Sequence, residues 1–264
     1  GGLPEQQGVR RRRVGPVFFV RDEPQVQRPR VRGVLLLSLR QLVHRLDHGP
    51  GQRETVVGRG AAPDLIENDK AVLGRLAQDR SGFIWIGTQD GLSRFDGYEF
   101  RVYRSSREDP WSLSHNHVWA LAADSDGSLW VGTQAGGLNR YDPTLDRFTS
   151  YRSNEGNPNS LANNHVTALL VSRDNRLWVA TSGGRIQWFD RDAMNLVDTP
   201  IKTLAGLRLV RSMIQSSDGG IWFGARDGLW RVDEDGRGIR EIRADTHLSL
   251  DVHALAQTPN GDIW

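Results

Sequence analysis

Two histidines occupy matching positions in this chain and are the first candidates for chemistry. His117 and His165 each stand directly before a valine that begins an apolar run, inside closely similar phrases. A histidine held in a channel could ligate a metal or serve as a general base. The chain has no local ligand spacing typical of zinc and no cysteine to supply a thiolate. We therefore predict no metal site and no cofactor, and a polar residue at the start of a buried strand is the simpler interpretation.

Four aspartates also recur, each directly after a short apolar run. They are Asp96, Asp142, Asp190 and Asp233. Their neighbours are glycine, proline or polar residues, which is the usual setting of aspartates that form turns. We therefore predict that these carboxylates are structural and that this chain has no catalytic residue.

The most informative residues are those that differ between otherwise matching segments. Trp119 is the bulky exception at its position, where the other segments carry Gly74, Thr167, Arg211 and His253. An aromatic ring beside amides and guanidinium groups suits a sugar ring or a small anion, and loops commonly carry function. The alternative is an ordinary solvated rim. The candidate ligand-binding residues are Trp119, Gln134, His117, His165, Gln89, Arg185 and Arg226.

A phrase that the chain repeats five times must position these candidates. The segment Asp79–Thr88 returns most clearly as Asp124–Thr133, and each copy is anchored by a tryptophan. The anchors are Trp85, Trp130, Trp178, Trp222 and Trp264, separated by 45, 48, 44 and 42 residues. A fixed period of this size is typical of a repeat architecture. Residue types present in every copy are therefore interpreted as structural.

Each copy predicts four short strands separated by turns. The apolar inner strands are predicted at Leu73–Ala77, Val118–Ala122, Val166–Leu170, Val210–Ile214 and Val252–Ala256. A residue that tolerates positive φ stands three positions before each tryptophan, namely Gly82, Gly127, Asn175, Gly219 and Gly261. Four strands in about 45 residues form one blade of a β-propeller. We therefore predict an all-β fold, an incomplete propeller of about four blades plus the start of a fifth, with the tryptophans packed between blades.

The first 60 residues share no phrase with the rest. They hold 12 Arg, no Lys and five acidic residues, a net charge of +7, whereas residues 61–264 carry a net charge of −5. We divide the chain into a basic leader at 1–60, disordered, unrelated or artefactual, and a partial propeller at 61–264. The run Arg10–Arg13 could alternatively be a patch for nucleic acid or a membrane surface. We predict no nucleic-acid binding by the repeat region.

Residues 124–142 and the preceding segment Ser112–Leu121 resemble the two-component regulator propeller repeat. The resemblance covers about residues 65–264, roughly three quarters of the chain. It implies a periplasmic sensor region of a bacterial inner-membrane receptor, followed by a β-sandwich, a membrane helix and a cytoplasmic output domain. That output is often a histidine kinase, sometimes joined to a response regulator and a DNA-binding domain, or a diguanylate cyclase.

This sequence departs from the family pattern because it lacks further blades and an output domain and carries an unrelated head. We therefore expect a fragment of a longer, membrane-anchored homodimer that is not itself an enzyme and that senses a small ligand, for which the resemblance implies an oligosaccharide. Two alternatives stay open. One is a propeller-fold lyase that resembles the streptogramin lyases and uses a histidine as general base. The other is a non-catalytic scaffold for protein interactions.

Overall fold

The computed structural model describes residues 75–199, 201, 209–233, 238–242 and 251–264. Within these ranges the chain forms sixteen β-strands and no helix. The strands are β1 Arg75–Gln78, β2 Ile84–Thr88, β3 Gly91–Phe95, β4 Phe100–Tyr103, β5 Val118–Ala123, β6 Leu129–Thr133, β7 Leu138–Asp142, β8 Arg147–Tyr151, β9 Val166–Val171, β10 Leu177–Thr181, β11 Ile186–Asp190, β12 Asn195–Asp198, β13 Val210–Gln215, β14 Ile221–Ala225, β15 Gly228–Val232 and β16 Ile239–Ile242. The predicted leader at 1–60 and the predicted strand residues Leu73 and Gly74 lie outside the described residues.

The strands form four sheets of four consecutive antiparallel strands. The first sheet contains β1–β4, and β5–β8, β9–β12 and β13–β16 form the others. The inner strands β1, β5, β9 and β13 contact one another in chain order. Four-stranded meanders whose inner strands lie next to one another are the blades of a propeller. The predicted all-β propeller with four blades is confirmed, and we number the blades one to four in chain order.

The fifth predicted inner strand, Val252–Ala256, is wrong as a strand. The backbones of Ala256 and Trp264 exchange hydrogen bonds of 2.9 and 2.8 Å, and Gln257 and Ile263 form an isolated bridge. In the second blade, the corresponding residues pair with positions up to three after the tryptophan, as Val118 does with Thr133. Val252–Leu255 have no such ladder partners among the described residues.

Three tryptophans pack between blades as predicted. Trp85, Trp130 and Trp178 are 1%, 0% and 1% exposed. Their rings contact aromatic residues of the next blade, with centroid distances of 4.9 Å to Tyr141, 4.6 Å to Phe189 and 5.9 Å to Phe223, respectively. The interpretation does not extend to the other two anchors. Trp222 is half-buried and Trp264 is 50% exposed.

The first residue of the repeated phrase anchors the indole. Trp85 Nε1 donates to Asp79 Oδ2 at 2.7 Å, and Trp130 Nε1 donates to Asp124 Oδ2 at 2.6 Å. Serines replace the aspartate in the third and fourth blades, where the indole donates to Ser172 and Ser216 at 3.3 and 3.0 Å. A buried N–H without a partner would be costly. The six-residue spacing is therefore a hydrogen-bond requirement.

The glycine two residues after the tryptophan is required by the next blade. A Cβ added at Gly87, Gly132 or Gly224 would lie 2.6, 2.5 and 2.5 Å from a valine Cγ1. Those valines are Val118, Val166 and Val252, each at the start of the following inner segment. The third blade carries Ala180 at this position, packed in one cluster with Val210. Close approach of neighbouring blades therefore explains the glycine at this position of the phrase.

The predicted turn chemistry is also present. Gly82, Gly127, Asn175, Gly219 and Gly261 have φ values of 88°, 90°, 64°, 87° and 92°. Asp96, Asp142 and Asp190 each accept a backbone N–H two residues later, at 2.8, 2.8 and 3.0 Å. These aspartates therefore close turns, and residues 234–237, directly after Asp233, lie outside the described ranges.

Substituting Trp130 with Ala should destabilise the protein by about 3–5 kcal/mol, because a fully buried ring is lost and Asp124 loses a donor. Substituting His117, which is only partly buried, should cost little. Denaturant unfolding of both variants checks this. Equal losses for the two would contradict the separation of structural from variable positions.

Substituting Gly132 with Ala should destabilise by about 1–3 kcal/mol, because the new Cβ overlaps Val166 of the next blade. The double variant Gly132→Ala/Val166→Ala should lose less stability than the sum of the two single variants. A double-mutant cycle by chemical denaturation measures this coupling. Strict additivity would show that the glycine does not serve contact between the blades.

Candidate functional site

The topology places all seven candidate residues on one face of the propeller. Each first strand starts at this face, which also carries the loops between second and third strands and the connections between blades. We call it the connection face. Gln89, Gln134, Arg185 and Arg226 lie on its loops, His117 and His165 end two of its connections, and Trp119 is the second residue of β5.

The structure brings three of the candidates into contact. The rings of His117 and Trp119 stack with a centroid distance of 5.4 Å and an interplanar angle of 24°. The His165 ring meets the Trp119 ring edge-on, with a centroid distance of 5.1 Å and an interplanar angle of 65°. We call these three residues the aromatic cluster. It joins two blades, because His165 precedes the inner strand of the third.

The other four candidates are exposed and differ in their relation to this cluster. The backbone N–H of Gln134 donates to the His117 carbonyl at 2.9 Å, so Gln134 lies beside the cluster. Arg185 instead pairs with Asp198 at 2.6 Å. Among the described residues, no contact joins Gln89, Arg185 or Arg226 to the aromatic rings. The sequence-based set therefore contains a compact group of four and three peripheral positions.

A β-bulge lies under the variable position in three blades. The register of the inner strand shifts around Trp119 in β5, Thr167 in β9 and Arg211 in β13, leaving each without a ladder partner. Bulges re-aim side chains and are over-represented beside functional sites. The same bulge thus recurs in three blades, and the residue on it differs from blade to blade. Residues that vary on a recurring bulge are suited to setting what the site binds.

An arginine that the sequence interpretation missed links these bulges. Arg75 Nε donates to the Trp119 carbonyl at 2.6 Å, and Arg75 Nη2 donates to the Arg211 carbonyl at 2.7 Å. Both acceptors belong to bulge residues, so their carbonyls are available for side-chain donors. Other copies carry small residues at this position, namely Ala120, Ala168, Ser212 and Ala254. That contrast was a readable signal.

A second polar group stands on the fourth blade. Arg211 Nη1 lies 2.6 Å from Asp251 Oδ1 and 2.7 Å from His253 Nε2. The side chain of His253 is 72% exposed, so this group faces water. Arg211 is therefore already neutralised by a carboxylate.

The connections that carry the histidines are held by a repeated clamp that the sequence interpretation also missed. The Asn116 side chain accepts the Ser105 N–H at 2.7 Å, and Asn164 accepts the Ser153 N–H at 2.8 Å. Leu113 and Leu161 from the same connections are 0% and 1% exposed. These anchors fix the backbone that enters β5 and β9, and the shared asparagine was their sequence signal.

Two polar atoms of the aromatic cluster are buried without a hydrogen-bond partner. They are Trp119 Nε1 and His165 Nε2. Buried polar atoms are nearly always paired, so such atoms require an explanation. Burial lowers the pKa of His165, and the nearby His117 lowers it further. The imidazole of His165 is therefore neutral at pH 7 and offers either a donor or an acceptor.

The described residues contain no group of three or more histidine, aspartate or glutamate side chains arranged to hold a metal ion. In the same part of the chain, no helix has the length and apolar character needed to cross a membrane. The site defined by these residues is therefore an aromatic and polar surface with unsatisfied hydrogen-bonding groups.

Comparison with known proteins identifies the repeat. The two-component regulator propeller family model matches residues 112–135 and 160–183. Each matched segment runs from the end of a connection, through the inner strand, to the strand that carries the tryptophan. These two segments are thus similar to the two-component regulator propeller repeat.

Two relatives come from bacterial signalling proteins. A segment of 39 residues is 49% identical to Histidine kinase P4 from Formosa agariphila, covering 15% of this chain and 3% of that protein. A crystal structure described as the extracellular domain of a hybrid two-component system, BT3049 from B. thetaiotaomicron, matches with a TM-score of 0.62 and 27% identity. That match covers 72% of this chain and 26% of the other, so this chain spans about a quarter of its length.

A second solved structure shares the fold but comes from an enzyme. It is a catalytically inactive variant of virginiamycin B lyase from Staphylococcus aureus with Quinupristin. The TM-score is 0.58 at 17% identity, over 75% of this chain and 64% of the lyase. At this identity the likeness shows the fold alone.

The lowered pKa of His165 predicts a pH-dependent stability. Below the ordinary histidine value of about 6.5, the unfolded chain takes up a proton that the folded chain resists. Stability should therefore fall as the pH decreases from about 6.5 towards the folded pKa. The variant His165→Gln should show a weaker loss between about pH 7.5 and 5.5 in denaturant midpoints, whereas His253→Gln should keep it. Parallel curves for the wild type and His165→Gln would count against a buried neutral His165.

Proposed function

We propose that this chain is part of the extracytoplasmic sensor region of a bacterial transmembrane signalling receptor and that its connection face binds the ligand. The match to the extracellular domain of a hybrid two-component system and the local identity with a histidine kinase support this proposal. In the full-length receptor, the region is periplasmic, anchored to the inner membrane and paired in a homodimer. The output is a histidine kinase or a diguanylate cyclase, and this region itself is not catalytic.

The observation that carries the proposal is the pair of buried, unpartnered atoms in the aromatic cluster. Trp119 Nε1 and His165 Nε2 have no hydrogen-bond partner, although Trp119 lies on a bulge and His165 follows a clamped connection. Rigid backbone support with unsatisfied polar atoms suits a site in which a ligand supplies the missing partners.

The chemistry of the cluster favours a carbohydrate ligand. The flat face of an indole packs against the apolar face of a sugar ring, and neighbouring polar groups pair with its hydroxyls. Trp119 supplies the platform, and His117, His165 and Gln134 surround it. The peripheral candidates Gln89, Arg185 and Arg226 would contact only a larger ligand, such as an oligosaccharide.

Signalling requires more than occupancy of this site. A ligand shifts a receptor only through a difference in its free energy of interaction with the two receptor arrangements. The aromatic cluster draws residues from the second and third blades, so a bound sugar would contact both. Any arrangement that changes the relation between these blades would then bind the sugar with a different affinity.

One observation favours a second candidate function, a lyase. The neutral His165 lies beside the aromatic platform, and a general base needs a neutral histidine, although the buried Nε2 of His165 would first have to become accessible to a substrate. The shared fold with virginiamycin B lyase is compatible with this function. A lyase would convert its ligand, whereas a sensor would release it unchanged, so recovery of the intact ligand after incubation separates the two. A scaffold for proteins would bind neither sugar nor antibiotic.

Substituting Trp119 or Gln134 with Ala should weaken the response of the full-length receptor to its inducer. Loss of the platform at Trp119 should move the midpoint by about tenfold or more, which corresponds to about 1.4 kcal/mol. A dose-response curve in a reporter strain, with immunodetection of the receptor in the membrane, measures this shift. Tyr98→Ala is the control, because Tyr98 is 96% exposed on the opposite face. Unchanged midpoint and amplitude for both substitutions would place the ligand site elsewhere.

A further inference from the structure

Arg75 is a partly buried cation without a carboxylate partner among the described residues. Its two hydrogen bonds go to neutral carbonyls, those of Trp119 and Arg211. Burial lowers the pKa of Arg75, which shows that its surroundings oppose the positive charge. Buried charges in proteins are normally paired, because an unpaired one loses hydration without compensation. Among the described residues, no carboxylate therefore compensates the charge of Arg75.

Other arginines on the connection face are paired in a way that Arg75 is not. Arg104 pairs with Asp90 at 2.8 Å, Arg185 with Asp198 at 2.6 Å, and Arg211 with Asp251 at 2.6 Å. Arg152 and Arg226 also have no ion pair in the described part of the chain, but both are exposed to water. Asp227 adds a carboxylate to this face and makes no contact with Arg75 in the described structure.

The free donors of Arg75 are numerous enough to hold an anion. A guanidinium group has five N–H donors, and the two carbonyls use Nε–H and one N–H of Nη2. About three donors therefore remain, including both on Nη1, and a carboxylate or sulfate can take two of them side by side. The guanidinium is already fixed beside the backbone of Trp119, whose ring forms the platform of the aromatic cluster.

We propose that the ligand is an acidic sugar, whose carboxylate or sulfate pairs with Arg75 while its ring packs on Trp119. This inference rests on the proposed sensor function and specifies the chemical class of its ligand. Arg75 is then a specificity-determining residue for negative charge. Carboxylate and sulfate share the same recognition chemistry, because each offers two anionic oxygens that can accept side by side from a guanidinium fork.

A structural role alone would give Arg75 a different signature. If it served only to cap the bulge carbonyls, its replacement would alter binding of charged and neutral sugars to the same extent. If it recognises the anion, its replacement would affect only the charged members of matched pairs. The comparison of ligand pairs within each variant therefore separates ligand recognition from support of the fold.

The test is a calorimetric titration of the full-length receptor with matched sugars. The probes are oligogalacturonate and oligoglucuronate with their methyl esters, and sulfated chondroitin and heparin disaccharides with their desulfated forms, plus sodium sulfate and acetate. At least one acidic sugar should bind about tenfold or more tightly than its neutral partner, with a gap that narrows at high salt. In Arg75→Gln that gap should close, whereas the matched control Arg104→Gln should preserve it.

The outcomes separate this inference from the proposed function. Neutral and acidic partners that bind equally well to the wild type, with loss of binding in Trp119→Ala, would overturn the acidic ligand and leave the sensor function in place. No binding of any sugar in the panel would overturn both. Equal affinity for sodium sulfate and for the best sugar would reduce the ligand to a simple anion and overturn the sugar. Should Arg75→Gln fail to fold, the wild-type gap and its salt dependence decide the question, with Arg75→Lys as the second variant.

Discussion

Insertion of an indole between neighbouring blades is the contact on which this architecture depends. Each tryptophan lies against the next blade, with its N–H bound to the aspartate or serine six residues earlier and a close valine–glycine approach beside it. No blade buries its tryptophan alone, because part of the cover comes from the next blade, as Phe189 does for Trp130. This explains why stability is shared between repeats.

The same constraint decides where variation is permitted. Positions that serve the blade contact keep their residue type, as the tryptophan does, or change conservatively. Ala180 replaces the glycine in the third blade, and Ser172 replaces the aspartate that accepts the indole N–H. The second residue of β5, β9 and β13 is free of this constraint on residue type, because it lies on a bulge and pairs with no other strand. Its carbonyl needs a donor, however, and Arg75 supplies one to two blades. Because Arg75 donates to the carbonyls of the bulge residues, its guanidinium group also lies close to the variable positions. In the proposed site, the same group would therefore support the backbone and contact the ligand.

Most of the fold could be predicted from the sequence, because the phrase encodes local requirements that recur. The strands of four blades, the turns with positive φ at Gly127 and its equivalents, and the buried indoles all follow from residue type and period. The exposed Trp264 and the missing strand at Val252–Ala256 did not follow, since they depend on partners and not on pattern. For the site, contrast between repeats was enough to select Trp119, His117 and His165. The contact from Arg75 to Arg211 crosses 136 residues, and no local pattern contains it.

The placement of the aromatic cluster has a consequence for how a sensor of this design would work. Trp119 and His117 belong to the second blade and His165 to the entry of the third, while Arg75 reaches from the first blade to bulges of the second and fourth. A ligand held by the cluster and by Arg75 would therefore add a second link between blades that Arg75 already joins through its hydrogen bonds to Trp119 and Arg211. The energy of that link depends on the relative position of the blades, whereas the indole contacts hold each neighbouring pair locally. The affinity of this site for the ligand would thus depend on how the four blades are placed relative to one another. A receptor must couple such a difference in affinity to its output.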